Sequence, residues 1–271
     1  WNTPLPSNVI FVRMTLEEIT QRVRKMLKIE APLHDAYKLC DLKPAYGFLF
    51  PEVVSSYPFW GYIDIDMVFG KLSLFLTDEI YGKYDKIGTQ GHLTLFRNCE
   101  TCNRFFMTDS KGKYPYYRTV FQEKYSFHFD ESGLIAHMDE YGIRTCAVGD
   151  YYDVMPHRFP FLVMLPSGGF GASVPQFCHG HLYLHYIEGS ALRKKELLYV
   201  HFQKRDMRMD ADLVYSDYLA IPNRFVPASS VDKMFVETVN QDKIYWDWYK
   251  RKWKIMVRSV RDGAIKHRLH Q

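Results

Sequence analysis

The hydrophobic positions at the start of the chain fall first into a run and then into a period. Val9-Ile10-Phe11-Val12 is continuous and apolar, and predicts a buried strand. Thr15 follows with Glu18 three residues on, the spacing of a capping box, and Leu16, Ile19, Val23 and Leu27 recur along one helix face. A strand followed by an amphipathic helix is the opening of an α/β pattern. Residues 37–50 predict a second helix, interrupted by Pro44. The aromatic run Phe59-Trp60-Gly61-Tyr62-Ile63 predicts a buried strand that closes at Asp64-Ile65-Asp66. Helices are predicted over 72–81, 99–107, 114–124 and 133–142, with short strands at Lys86-Ile87 and over 92–96. From Phe159 the texture changes: Pro160, Pro166, Gly168, Gly169, Gly171 and Pro175 predict a long loop, followed by strands over 182–187 and 197–203. The end of the chain, 243–268, carries nine Lys or Arg against Asp247 and Asp262, interleaved with Tyr245, Trp246, Trp248, Tyr249 and Trp253. It reads as a basic, aromatic helix.

Composition narrows the class. The chain has 271 residues, of which 47% are hydrophobic, 24% charged and 16% aromatic. That balance excludes a disordered chain and suits recognition through ring faces. A net charge of +4 is too small to imply nucleic-acid binding. No apolar run approaches the length of a membrane-spanning helix. No signal peptide is visible; the first residue is Trp1 rather than Met, which reads as a chain cut at its N-terminus. Five cysteines, an odd number, predict free thiols in a reducing compartment.

Asp64-Ile65-Asp66 is the first chemical candidate. A bare Asp-x-Asp is weak, and Asp210-Ala211-Asp212 repeats it in what reads as a solvated turn. The context of the first pair is stronger. Residues two apart on an extended chain point the same way, and ligands of open α/β sheets bind beyond the carboxyl ends of strands. Two carboxylates projected there call for a counter-charge, which a hard divalent cation supplies while bridging to phosphates. The plainer alternative is that the pair caps the following turn.

The wider sequence carries a resemblance. Tyr37-Lys38-Leu39-Cys40-Asp41-Leu42-Lys43-Pro44-Ala45-Tyr46-Gly47, Phe59 through Asp66, Thr77-Asp78-Glu79, Tyr84-Asp85-Lys86 and Gly91-His92-Leu93-Thr94-Leu95-Phe96-Arg97-Asn98 together resemble bacterial capsule and exopolysaccharide glycosyltransferase-like proteins. The resemblance runs from about residue 9 to about residue 209. It implies an α/β, GT-A-like (Rossmann-like) fold with a mixed, mostly parallel sheet flanked by helices and a C-terminal helical extension. The catalytic domain would take 1–240, lacking the family's first nucleotide-binding strand, and the tail 241–271. The implied activity is metal-dependent transfer of a hexose from a nucleoside diphosphate sugar, a UDP-sugar first, to a cell-surface polysaccharide or lipid-linked acceptor.

The same resemblance suggests roles. Asp64, Asp66 and His201 would hold Mn²⁺ or Mg²⁺, and Lys204 or Arg205 would reach the diphosphate. Asp130 or Glu131 would deprotonate the acceptor hydroxyl. Asp41, Lys43, His92 and Arg97, with Asn98, would contact nucleotide or donor sugar. Each has a plainer alternative: a half-buried strand histidine for His201, helix capping for Asp130 and Glu131, exposed faces for Asp41, Lys43 and a solvated Lys38, and edge-strand positions for His92 and Arg97. Cys99-Glu100-Thr101-Cys102 is a C-x-x-C without a second, and with Cys178, His179, His181 and His185 it matches no zinc spacing; the histidines read as a polar sheet face. Gly168-Gly169-Phe170-Gly171 lacks the Lys-Ser/Thr of a phosphate loop and reads as a surface loop, with a flexible acceptor-site loop as the alternative. The tail either lies on an anionic membrane, placing the protein in the cytoplasm at the inner face, or packs its tryptophans on the catalytic domain. Two other classes stay open: a non-catalytic scaffold subunit of a polysaccharide assembly, and a metal-dependent nucleotidyl or phosphoryl transferase.

Overall fold

Residues 1–62 and 89–145 form one unit, unit 1, and residues 63–88 and 146–271 form a second, unit 2. The computed structural model describes residues 6–209, 217–241 and 243–261; Asp210 and Asp212 lie outside them, as does the tail beyond 261. Along the chain the strands are β1 (Phe59–Ile63), β2 (Met67–Phe69), β3 (Lys86–Ile87), β4 (Leu93–Arg97), β5 (Thr145–Cys146), β6 (Tyr151–Asp153), β7 (Leu162–Met164), β8 (Phe170–Cys178), β9 (His181–Glu188), β10 (Ala191–Glu196), β11 (Tyr199–His201), β12 (Tyr218–Ile221) and β13 (Arg224–Pro227). No helix among the described residues is long and apolar enough to cross a membrane.

Unit 1 is mainly helical around an aromatic core. Thr15 closes the predicted capping box: its hydroxyl accepts from Glu18 N at 3.2 Å, and the Glu18 carboxylate accepts from Thr15 N at 2.6 Å. The helix Leu16–Leu27 that follows buries Val23 and Leu27 in one cluster with Leu42, Leu49, Trp60, Phe96, Phe106 and Phe121. Each such side chain contributes about 1.5–3 kcal/mol when fully buried. Residues 36–49 run as successive short turns, Ala36–Lys38, Leu39–Leu42, Lys43–Ala45 and Tyr46–Leu49. Pro44 falls at the start of the third, where its missing N–H is not needed. β1 lies beside β4, and Trp60 stacks on Phe96 with ring centroids 4.9 Å apart. The run 9–12 is a correction: it forms no strand and is exposed, because continuous hydrophobicity supplies side chains to bury but no neighbour for the backbone to pair with.

Lys38 is also a correction. It is not solvated but 2% exposed, and its ammonium donates to Asp41 Oδ2 (2.8 Å), Val120 O (2.6 Å) and Tyr125 O (2.6 Å). Asp41 is fully buried and accepts in addition from Ser126 Oγ and from the N–H groups of Phe127 and Phe129. A residue three positions before an aspartate on a helical turn gives a pair; the loop 126–129 completes the acceptor's shell.

Unit 2 is built on strands. β11 sits between β2 and β6, antiparallel to the first and parallel to the second. A six-stranded sheet runs β10-β9-β8-β12-β13, with β7 also on β8, and every register in it is antiparallel. The expected mostly parallel, Rossmann-like GT-A sheet is therefore not what the chain forms. The reason is in the connections: a parallel neighbour needs a crossover of a dozen residues or so, whereas β8, β9 and β10 follow each other through two-residue turns, His179-Gly180 and Gly189-Ser190. The predicted loop from Phe159 is likewise mostly strand. Gly168 and Gly169 take φ of 87° and 79° and turn β7 into β8. Gly171 has no room for a side chain, since a Cβ there would lie 2.1 Å from Ile187 O. Pro175 stands in the break between the β7 register, which ends at Ala172, and the β12 register, which starts at Gln176.

Asn240, after the helix Lys233–Val239, ties that helix to the sheet. Its side-chain amide accepts from Phe161 N (2.6 Å) and donates to Ser173 O (2.9 Å) and Val236 O (3.0 Å). The predicted helix over 72–81 is a short turn, Leu72–Leu74, and then Asp78–Lys83, where the Thr77 hydroxyl accepts from Ile80 N.

Asp41→Ala strands the buried Lys38 ammonium and three further donors, so it is expected to lower stability by about 3–5 kcal/mol. A urea titration checks this: the midpoint falls while the slope is retained. A loss below about 1 kcal/mol would show the pair to be dispensable.

Candidate metal centre

The ends of three strand segments meet in unit 2. In the β11 registers His201 faces Met67 across β2 and Asp153 across β6. Asp66 is the residue before β2, so it arrives next to His201, and its carbonyl accepts from Phe202 N at 2.9 Å. Behind this end the strand is anchored by Tyr199, which stacks on Tyr151 at 5.1 Å, and by buried Val200. The histidine is thus carried on a rigid, buried strand, while the aspartates enter from the segments beside it.

His201 Nδ1 lies 2.9 Å from Asp153 Oδ1. In the neutral ring a proton on Nδ1 leaves Nε2 as the acceptor nitrogen, and Nε2 faces Asp66 Oδ1 at 3.4 Å and Asp64 Oδ2 at 3.7 Å. These separations are long for a hydrogen bond. They suit donors that share an ion: two atoms each about 2.1 Å from one cation lie up to about 4.2 Å apart. His201 Nε2 lies within that limit of both carboxylates, and Asp64, Asp66 and His201 form one cluster of candidate ligands. Three carboxylates around one imidazole also leave a net negative charge, which a divalent cation balances. Carboxylate oxygens with one imidazole suit Mn²⁺ or Mg²⁺, and the residues present therefore fit such an ion.

The surrounding contacts hold the ligands in place. Gln203 Nε2 donates to the other Asp153 oxygen at 2.6 Å, and the Lys204 N–H donates to Asp66 Oδ2. Gln203 and Lys204 reach these positions through consecutive left-handed conformations, φ 55° and 60°, at an order of 1–3 kcal/mol each. Burial works against a charge on His201, but the hydrogen bond and charge of Asp153 and the nearness of Asp66 outweigh it and raise its pKa to about 9. Asp66 mirrors this. Burial opposes its ionisation, and His201 together with the Lys204 N–H overcomes that and lowers its pKa to about 2.

The other predicted residues have different surroundings. Lys204 is exposed in the turn just described. Arg205 is buried, and its guanidinium donates to the carbonyls of Phe159, Met155 and Arg158 between the rings of Phe161 and Tyr245. It clamps the 155–159 loop rather than facing a ligand.

Asp41, Lys43, His92, Arg97, Asp130 and Glu131 belong to unit 1. Asp41 is enclosed as described. Lys43 Nζ donates to Asp130 Oδ2 at 2.7 Å, both side chains being buried, and burial raises the Asp130 pKa against the pull of Lys43. Glu131 is more open and lies 3.2 Å from His128; that contact lowers the glutamate pKa and raises the histidine's. His92 is buried, the Arg97 guanidinium lies over Phe59, and the Asn98 amide donates to Val54 O and Tyr57 O.

All five cysteines are free. Cys102 packs in the unit 1 core and Cys99 precedes the helix Glu100–Arg104. His181 contacts Glu196 and His185 contacts Gln176, while His179 lies in the β8–β9 turn against Cys178 and Asp217. Asp153 and Gln203 were not predicted from sequence. Tyr151-Tyr152-Asp153 does carry a signal, an aromatic strand closed by an aspartate, as in the run ending at Asp64.

The chain belongs to DUF6625, a family of unknown function, which matches it over residues 1–229. No curated protein and no solved structure matches it.

Binding of Mn²⁺ requires His201 Nε2 to be unprotonated, so at pH 7 each ion bound is expected to release about one proton. Calorimetry in buffers of different ionisation enthalpy measures it. Affinity should rise with pH up to about 9, because the proton competes below that value. Without metal the sign is opposite for stability. The folded pKa is raised above the ordinary 6.5, so the stabilisation is full below 6.5 and is lost as pH rises through about 9. Asp153→Asn, which touches no ion itself, should weaken Mn²⁺ about 10–100-fold. Release of no proton would exclude His201 as a ligand.

Proposed function

We propose that this member of the family is a metal-dependent glycosyltransferase that takes a hexose from a nucleoside diphosphate sugar and passes it to a glycan acceptor. The observation that carries the reading is the convergence of Asp64, Asp66 and His201 in unit 2, with Asp153 orienting the histidine. The reading does not depend on a parallel sheet; it depends on the site and on the sequence resemblance around Phe59 through Asp66. A divalent cation held there would neutralise charge on a departing diphosphate.

The chain's own groups supply the rest. Asp153 and Gln203 fix the tilt of the His201 ring, and the Lys204 N–H fixes one oxygen of Asp66. His201 and Asp66 therefore meet a ligand preorganised, with little rotamer freedom left to lose. Lys204 offers an ammonium to phosphate oxygens from the same turn.

The test is binding of uridine, guanosine, adenosine and cytidine diphosphates and their sugars, with and without Mn²⁺. One nucleotide should bind only with metal, its sugar should turn over slowly to free hexose, and Asp64→Asn and Asp66→Asn should each lower that turnover about 10²-fold or more. Metal-independent binding, or turnover of a nucleoside triphosphate in preference to the diphosphate sugar, would overturn the proposal. Binding without turnover on any acceptor would assign a non-catalytic subunit instead.

A further inference from the structure

The helix Trp246–Arg261 of unit 2 has two different faces. One is turned inward over the first turns: Trp248 is half-buried, its ring T-shaped to His157 with centroids 6.3 Å apart, and Arg251 is half-buried, while Ile255 on the same side is 54% exposed. Just before the helix, Tyr245 is buried against Phe159 and Arg205 and anchors its start. The other face is open. Trp246 is 62% exposed, Tyr249 53%, Trp253 64%, Met256 45% and Val257 48%. At about 100° per residue these five positions lie within an arc of roughly 100°. Lys250 and Lys254 border that arc on one side and Lys252 on the other, and all three are exposed.

Such a band is costly in water, because two indoles and three further apolar side chains in contiguous positions exceed what scattered surface exposure explains. Its chemistry also selects among occupants. An apolar helix seam for a second protein helix would favour aliphatic side chains at its centre. Here the centre is Trp and Tyr, the side chains that settle at the headgroup level of a bilayer. The rims are lysine, whose long stems let the ammonium reach up to phosphate while the band sinks in. Four cations, Lys250, Arg251, Lys252 and Lys254, stand against the single carboxylate of Asp247 between 246 and 257. That charge complements an anionic surface.

We propose that this helix lies flat on an anionic lipid surface, with Trp246, Tyr249, Trp253 and Met256 in the headgroup–acyl boundary and the three lysines on lipid phosphates. The inference stands on the helix alone and is independent of the metal centre.

The full chain is mixed with phosphatidylcholine vesicles, with and without phosphatidylglycerol, at low and high salt. Co-sedimentation and tryptophan emission are read together. Binding is expected with phosphatidylglycerol, accompanied by a blue shift, and it should weaken as salt rises. The double variant Trp246→Ser/Trp253→Ser should bind at least about ten-fold more weakly. Lys250→Gln/Lys252→Gln/Lys254→Gln should lose the preference for anionic vesicles while keeping its indoles, and so reads the charge even if the double variant fails to fold. Absence of binding to anionic vesicles, or equal binding by the triple variant, overturns the proposal. So does a dimer that the double variant breaks in a chain that ignores vesicles, since a second copy would then be the occupant.

Discussion

The register of one three-residue strand sets the geometry of the candidate centre. Tyr199–His201 is held between an antiparallel and a parallel neighbour, and side chains alternate along it. A slip of one residue would turn His201 to the opposite face and bring Val200 to the aspartates. Two things prevent it. Tyr199 and Val200 are almost wholly buried, and the carbonyl of Asp66 takes the very next N–H, that of Phe202. The same hydrogen bond that ends the ladder therefore delivers a carboxylate to the ring, and position follows from pairing rather than from any attraction between the charges themselves.

Much of the helical part is legible in the chain, because helices announce themselves locally. Thr15 and Glu18 predict an N-terminus by spacing alone, and residues 99–107 and 133–142 show their turns where their periodicity places them. The strands are less legible. Glycine and proline between 160 and 175 look like loop signals, yet Gly168 and Gly169 make a tight turn, Gly171 permits a close crossing and Pro175 falls where no donor is required. Each is a sheet residue for a reason that depends on a neighbour distant in sequence. The parallel-sheet expectation fails on the same ground: the segments between 37 and 98 that carry the resemblance say nothing about the hairpins after residue 170.

The candidate centre is legible in part. Asp64 and Asp66 stand out because two carboxylates close an aromatic strand, whereas His201, inside a strand expected over 197–203, is reached only through the resemblance. Asp153 is harder to see. A lone aspartate after two tyrosines becomes meaningful only when β6 is known to lie beside β11. Arg205 and Asp41 show the converse difficulty, since charged side chains near a motif read as ligand contacts until the carbonyls and N–H groups that occupy them are in view. Burial of a charge is a tertiary property, and neither residue's sequence neighbours reveal it.

Asn240 extends the point from recognition to replaceability. Its amide takes the place that a peptide unit would have in the ladder, accepting from Phe161, the residue before β7, and donating to Ser173 of β8. A backbone unit is the same whatever residue carries it, so sheets ordinarily leave substitution open. Here the constraint passes to a side chain. Aspartate has the shape without the donor, serine lacks the reach, and glutamine carries an extra methylene into a buried space. At this one position the chemistry common to all residues is supplied by a single one, and the freedom to vary that a β-sheet normally allows is withdrawn.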